Sequence, residues 1–279
     1  MAEQDRIPLA GVIGSPVAHS LSPVLHAHWL ARYGLPGHYV PLDVTQADLA
    51  EAIRFLPRLG FVGLNVTIPH KETVLKLADI VTDRASLIGA ANTLIYRQDG
   101  KLHADNTDGY GFIANLRQQA PHWHPATGPA AVLGAGGAAR AVLAALLEAG
   151  VPEIRIANRT RARSDLMRIE FGARVTVYDW VEAGAMLEGA ATLVNTTALG
   201  MTGKPELRVP LDGLTRDTIV CDLVYAPLQT GLLEEAAARG CSTVDGLGML
   251  VHQAAPGFER WFGHRPDVDD LARRALLKG

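Results

Sequence analysis

The chain is poor in the features that mark several large classes of protein. It has only two cysteines in 279 residues. Cys221 and Cys241 each fall in or beside a predicted strand without metal-ligand spacing, which excludes a disulfide scaffold and fits buried, reduced thiols. There is no excess of one charge: the formal net charge is −3, and basic residues are scattered except around Arg155 to Arg168. That balance argues against general nucleic-acid or membrane-surface binding. No apolar run is long enough to span a membrane, because Arg140 and Glu148 bound the longest candidate. The start, Met1 to Arg6, has no basic and apolar signal pattern, and reduced thiols fit the expectation of a cytoplasmic enzyme. Ten histidines are present, but no H-E-x-x-H and no Cys/His cluster. The pairs His26/His28 and His122/His124 are spaced i, i+2, which does not build a metal site, and none is expected. Internal repeats and low-complexity tracts are absent.

What is there is ordinary soluble composition, 48% hydrophobic and 20% charged, over a length sufficient for two compact domains. The first hundred residues alternate strand and helix signals. Strands are predicted at Leu9–Gly14, His38–Val44 and Phe61–Thr67, the last stopped by Pro69. Helices are predicted from Ser22-Pro23 (N-cap and first-turn proline), over Ala47–Leu56, over Lys71–Ala78 and over Asp83–Ile88. Asn92–Arg97 and Lys101–Ala104 read as a hairpin around Asp99-Gly100. This order implies an α/β domain with a mostly parallel sheet. A helix at Gly109–Gln119 leads to a Pro- and His-containing linker, Pro121–Pro129. Beyond it, strands are predicted at Ala130–Leu133, Glu153–Ala157, Arg174–Tyr178, Ala191–Asn195, Thr218–Leu223 and Ser242–Val244. Two closing helices, Leu247–Phe262 and Val268–Leu277, have no sheet of their own and are expected to return to the first domain and close a cleft. The expected division is 1–108, a substrate domain; 109–246, a Rossmann-type parallel-sheet domain; and 247–279, the returning helices.

The sharpest signal is a glycine turn followed, one strand later, by an arginine-rich loop. Gly134-Ala135-Gly136-Gly137-Ala138 follows an apolar strand and precedes an apolar helix, the arrangement in which backbone approaches a pyrophosphate at a helix N-terminus. An NAD site would place Asp or Glu at the end of the second strand to hold the ribose 2′-hydroxyl. Here the chain reads Asn158-Arg159-Thr160-Arg161-Ala162-Arg163. Guanidinium groups chelate a 2′-phosphate that a carboxylate would repel, so the predicted cofactor is NADP(H). Arg161 is expected only to solvate the surface.

Three segments of the first domain gather polar groups where strands end: His19-Ser20-Leu21-Ser22-Pro23, Asn65-Val66-Thr67-Ile68-Pro69-His70-Lys71, and Ala91-Asn92-Thr93 with Asp105-Asn106-Thr107-Asp108-Gly109. Ligands bind at that edge in open α/β folds. Taken in chain order, HSLSP, NVTIPHK, GAANT, NTDG, GAGGAA, NRTRAR, NTTALGM, DLVY and DGLGMLVHQA resemble the shikimate dehydrogenase family, from Gly14 through Gln253. The resemblance implies reversible reduction of 3-dehydroshikimate to shikimate with NADPH. It implies an acid/base role for Lys71 with Asp108 as its partner, and leaves open which of them carries the proton. It assigns Ser20 and Ser22 to the substrate carboxylate, Thr67, Asn92 and Gln253 to its hydroxyls, and Tyr225 to a further substrate contact. Gly134, Ala135, Gly136, Gly137 and Ala138 match the phosphate turn, and Asn158, Arg159, Thr160 and Arg163 the adenosine-phosphate clamp. Leu223 and Gly246 match positions near the nicotinamide, Thr197–Met201 a loop beside it, and Asp83 a cofactor-facing position. Ala198 and Ala226 depart from the family pattern. Read alone, Asp108 is a cap for the helix that begins at Gly109, and Ser22 is equally readable as an N-cap. A catabolic quinate/shikimate dehydrogenase and a dinucleotide sensor without turnover are the competing expectations, with the protein a monomer or homodimer.

Overall fold

The computed structural model describes residues 6–277. Of the Met1–Arg6 stretch read above for a signal pattern, all but Arg6 lies outside the described residues, as do the last two residues of the expected 247–279 segment. The chain forms two compact units: one runs to Thr107 and resumes at Leu250, the other is Asp108–Met249.

The first unit contains β1 (Leu9–Gly14), α1 (Ser22–Tyr33), β2 (His38–Asp43), α2 (Leu49–Phe55), β3 (Phe61–Val66), β4 (Ile80–Val81), α3 (Asp83–Ile88), β5 (Thr93–Tyr96) and β6 (Leu102–Asp105). They form one six-stranded sheet in the order β2-β1-β3-β5-β6-β4. β1 pairs in parallel with β2 and β3, and β4 with β6, but β5 runs antiparallel to both β3 and β6. The sheet is thus more mixed than its strand-helix alternation suggests. The hairpin at Asp99-Gly100 is the reason, since so short a connection can only join antiparallel strands. The expected Lys71–Ala78 helix is reduced to a 3-10 turn at Thr73–Lys76. Just beyond it the chain is drawn to the sheet edge, where Asp79 N–H donates to the Leu102 carbonyl (2.9 Å) and the Asp79 carboxylate accepts from Leu102 N–H (2.8 Å). Ser22 is not the N-cap of α1 but its first residue; Leu21 precedes it in helical backbone, and no side chain caps the helix.

Ile13, Leu64 and Leu94 are fully buried in this sheet, each contributing roughly 1.5–3 kcal/mol by leaving water.

The second unit contains α4 (Asp108–Gln119), β7 (Ala130–Leu133), α5 (Gly137–Ala149), β8 (Ile154–Ala157), α6 (Arg161–Phe171), β9 (Val175–Tyr178), β10 (Thr192–Asn195), β11 (Ile219–Asp222), α7 (Gly231–Ala238) and β12 (Ser242–Val244). Its six strands, ordered β12-β11-β10-β7-β8-β9, are all parallel. The order reverses between β7 and β10, the switch point outside whose carboxyl ends doubly wound sheets bind ligands. Every residue of β7 is buried, as a strand covered on both faces requires. Pro121–Pro129 is not a loose linker: Trp123 is buried, its indole N–H donates to Thr192 Oγ1 (3.1 Å), and Pro125–Thr127 forms a 3-10 turn. Both cysteines are free and buried, and burial pushes the Cys221 thiol up.

The last helices are α8 (Leu247–Phe262) and α9 (Asp270–Leu277). From Leu250 onward they belong to the first unit. Trp261 donates from Nε1 to the Leu94 carbonyl of β5 (3.1 Å), lying where Gly63 has no side chain; a Cβ there would sit 1.9 Å from the indole nitrogen. Phe258 meets Trp29 of α1 edge-on at 5.3 Å. No described helix is long and apolar enough to cross a membrane.

Candidate active site

In the first unit the polar strand ends converge on Asn92. Its amide nitrogen donates to Thr107 Oγ1 and to Gln253 Oε1, both at 3.0 Å. Its amide oxygen accepts from Thr93 Oγ1 (3.0 Å), Thr107 N–H (2.8 Å) and Thr107 Oγ1 (3.1 Å). Thr107 also hydrogen-bonds the Gln253 carbonyl at 2.8 Å. Residues from β5, the end of β6 and α8 therefore form one buried, fully hydrogen-bonded cluster, and a buried amide so engaged is held in one rotamer. Lys71 is anchored beside it, its carbonyl accepting from Ala91 N–H at 2.8 Å. Asp108 follows Thr107 directly, buried in the first turn of α4, where a carboxylate suits the helix dipole.

Ser20, Ser22 and Thr67 border the same sheet edge. Ser20 Oγ accepts from Ser22 N–H at 3.3 Å. The buried Ser22 hydroxyl bonds the phenol of Tyr39, which donates to Asn65 Oδ1 at 2.7 Å. The Asn65 amide donates in turn to the Asn92 carbonyl at 3.2 Å, so a continuous chain of hydrogen bonds links Ser22 to Asn92. Burial, against the Ser22 hydrogen bond, pushes the Tyr39 phenol well up. Thr67 stands over Gly14, where a Cβ would come within 2.4 Å of its methyl group. Asp83 stands apart, exposed in the first turn of α3, where it too complements a helix dipole; the structure gives it no link to the other candidates.

In the second unit the glycine turn closes off β7. Gly134 has φ +105°, and a Cβ on it would lie 2.7 Å from Thr196 Oγ1, so only glycine fits. Gly136 and Gly137 face open space, and no side chain caps the N-terminus of α5, which leaves its N–H groups and the positive end of its dipole for an anion. Ala135 N–H donates to Asn158 Oδ1 at 3.2 Å, joining turn to clamp, while the Asn158 amide donates to the Thr160 carbonyl at 2.9 Å. Arg161 is engaged by Asp179 at 2.6 Å, which raises its already high pKa. Arg159 and Arg163 are exposed, and among the described residues neither makes an ion pair. The expected arginine loop is in part helix, since Thr160 is the N-cap of α6 and Arg163 lies in its first turn. An open turn flanked by two uncompensated guanidinium groups fits a pyrophosphate bearing a further phosphate.

The loops following β10 and β11 share a buried core. Asn195 Nδ2 donates to Asp222 Oδ1 at 2.9 Å, and Thr230 Oγ1 donates to Asp222 Oδ2 at 2.7 Å. Leu223 and Gly246 back onto each other, a Cβ on Gly246 falling 2.3 Å from the Leu223 carbonyl oxygen. Tyr225 is half-buried, which raises its phenol pKa. Among the described residues no group of three histidine, cysteine or acidic side chains could hold a metal ion. Tyr39, Asn65, Thr107, Asn195, Asp222 and Thr230 are the supporting residues that the sequence does not single out. Asn65, Thr107 and Asp222 lie inside recognisable motifs, whereas Tyr39 sits in a strand with no local signature.

Residues 12–94 match the shikimate dehydrogenase substrate binding domain, residues 118–200 the shikimate / quinate 5-dehydrogenase family, and residues 246–277 the shikimate 5′-dehydrogenase C-terminal domain. A shikimate dehydrogenase (NADP(+)) of Cereibacter sphaeroides is 70% identical over 277 residues, covering 99% of each chain. Among solved structures, the shikimate 5-dehydrogenase of Thermus thermophilus in complex with NADP(H) and shikimate is 39% identical, with a TM-score of 0.85 over 97% of this chain and 100% of that one. Quinate dehydrogenase from Corynebacterium glutamicum in complex with NAD is 32% identical, with a TM-score of 0.90 over 97% of this chain and 99% of that one. With the glycine turn, its arginines and the Asn92 cluster in place, these matches settle the lineage: the chain belongs to the shikimate dehydrogenase family.

Proposed function

We propose that this chain is an NADP(H)-dependent oxidoreductase that reversibly reduces 3-dehydroshikimate to shikimate, a step toward aromatic amino-acid precursors. The observation that carries the reading is the buried Asn92–Thr107–Gln253 cluster, with Lys71 tied to Ala91 beside it. A set of fixed amide and hydroxyl groups, with the backbone of one lysine tied to the same segment, suits a polyhydroxylated substrate with a single reacting carbonyl. Ser20 and Ser22 hold the carboxylate with neutral donors. Thr67, Asn92 and Gln253 position the ring hydroxyls, and Tyr225 adds a contact from the β11 loop. NADPH supplies the hydride. Lys71 stabilises the oxygen as negative charge develops on it and delivers the proton that completes the alcohol, with Asp108 its charge partner. In the oxidative direction the same pair removes that proton. Gly134 to Ala138 and the N-terminus of α5 hold the pyrophosphate, and Asn158, Arg159, Thr160 and Arg163 hold the adenosine phosphate.

The likeness to a quinate dehydrogenase supports a second reading, quinate oxidation with NAD. The unpaired Arg159 and Arg163 weigh against it, because an NAD ribose offers them no phosphate. Steady-state rates with shikimate and quinate, each with NADP and NAD, separate the two. Shikimate with NADP is the expected best pair, and a preference for quinate with NAD overturns the proposal. Lys71→Ala should lower kcat by about 10²–10⁴-fold while NADP affinity stays near that of the parent. A comparable loss of cofactor binding would assign the lysine elsewhere.

A further inference from the structure

We propose that Asp222 is a positioning residue for hydride transfer, holding the loops after β10 and β11 in one register. The inference rests on the proposed function, in which Tyr225 touches substrate, and on the family resemblance, which sets these loops beside the nicotinamide end of the cofactor. Asn195 and Asp222 are the last residues of adjacent parallel strands and stand directly opposite each other. Both are almost fully buried, as is Thr230.

The donor and acceptor count fixes what each group must be. Asp222 receives three hydrogen bonds and can give none: Oδ1 accepts from Asn195 Nδ2 (2.9 Å) and Val224 N–H (3.0 Å), and Oδ2 accepts from Thr230 Oγ1 (2.7 Å). A carboxylate satisfies all three donors, whereas an amide would keep its oxygen for Asn195 and Val224 and set an N–H against the Thr230 hydroxyl, reversing that bond and leaving the hydroxyl proton without its acceptor. Asn195 carries the connection to the other loop. Its Oδ1 accepts from Thr197 N–H (3.0 Å) and Thr197 Oγ1 (2.7 Å), and its Nδ2 also reaches the Leu199 carbonyl (3.2 Å). The loops are joined again where Thr202 N–H donates to the Ala226 carbonyl at 2.7 Å. Burial pushes the Asp222 carboxyl up against the opposing hydrogen bonds from Thr230, Val224 and Asn195. A buried carboxylate is a costly way to fill a core, and three orphan donors from two loops give it a reason to be there.

The test uses the whole enzyme and the variants Asp222→Asn, Thr230→Val and Thr230→Ser. Thr230 caps α7 through Leu233 N–H at 3.4 Å, so Thr230→Val will also lower Tm, and thermal stability alone does not decide the matter. Asp222→Asn and Thr230→Val should each lower kcat about tenfold, while Thr230→Ser, which keeps the hydroxyl, restores the parent rate. The kinetic isotope effect with NADPH deuterated at the transferred position should rise in the two impaired variants, because misplacement makes the chemical step limiting. Affinity for 2′,5′-ADP, which probes only the adenosine end, should stay at the parent value. Unchanged kcat, or kcat and 2′,5′-ADP affinity falling in parallel, would overturn the assignment. Amide hydrogen exchange at Val224 and Thr197, read without substrate, should be faster in Thr230→Val; unchanged exchange sinks the positioning role. A parent enzyme that fails to turn over shikimate would instead sink the proposed function.

Discussion

Acid should loosen the first unit through one buried imidazole. His26 lies on α1 with no exposed surface, stacked on the Tyr39 ring at 3.8 Å and 5°. Burial lowers its pKa from 6.5 to about 3, against a smaller raising influence from the Asn65 side chain. The folded protein therefore keeps the ring neutral while the unfolded chain takes up a proton, so stability falls as pH drops from the unfolded value near 6.5 toward 3. At 1.36 kcal/mol per pH unit, the loss between pH 7 and pH 5 is about 2 kcal/mol. Urea unfolding of the parent and of His26→Phe at pH 7, 6 and 5 measures it. The variant's stability at pH 7 can shift either way through repacking, so the slope is the observable. The parent should lose about 2 kcal/mol more than the variant across that range. His252, lowered to about 4 by burial and the nearby Arg265, acts in the same direction in both proteins and cancels. Parallel pH dependences would refute the reasoning.

Arg163→Ala should weaken NADP binding by about 10- to 100-fold and leave NAD binding unchanged, as expected for loss of a charge-assisted bond to the 2′-phosphate; titration with each nucleotide checks it. Gly63→Ala should destabilise the protein by about 3 kcal/mol in urea, because the new Cβ meets both the Trp261 indole and the Leu94 carbonyl, and a change in tryptophan emission should accompany it. Asp105 is pushed up by burial, but hydrogen bonds from Arg84 and Thr82 outweigh this and hold its pKa below the ordinary carboxylate value. Its contribution is present above the unfolded pKa and lost as pH falls through the folded one. Asp105→Asn should therefore flatten the acid limb of stability below pH 4, by under about 1 kcal/mol since Arg84 is more than half exposed.

The strands were legible because each is a short apolar run ended by a turn residue, and all the longer ones lie within a residue or two of expectation. Helices α6 and α7 were not. Only Ser164 and Met167 of α6 are buried, so the segment carries almost no apolar stripe to read. The Thr73–Lys76 turn was over-read as helix for the opposite reason: its periodicity is real, but contacts with β6 outcompete it. Chemistry-bearing residues stood out where motifs cluster them at strand ends. Tyr39 stayed hidden, because its importance lies in a partner 26 positions away, and spacing within a segment does not report such a pairing.

The first unit is assembled from two stretches of chain separated by the whole of Asp108–Met249. Gly63 leaves the ribosome early, yet the indole that must cover it is added almost two hundred residues later. During synthesis the second unit, being continuous, can complete its fold while the first waits with the flank of β3 bare. The part that starts to emerge first is thus the last to be finished, and it is there that nascent chains need shelter from aggregation.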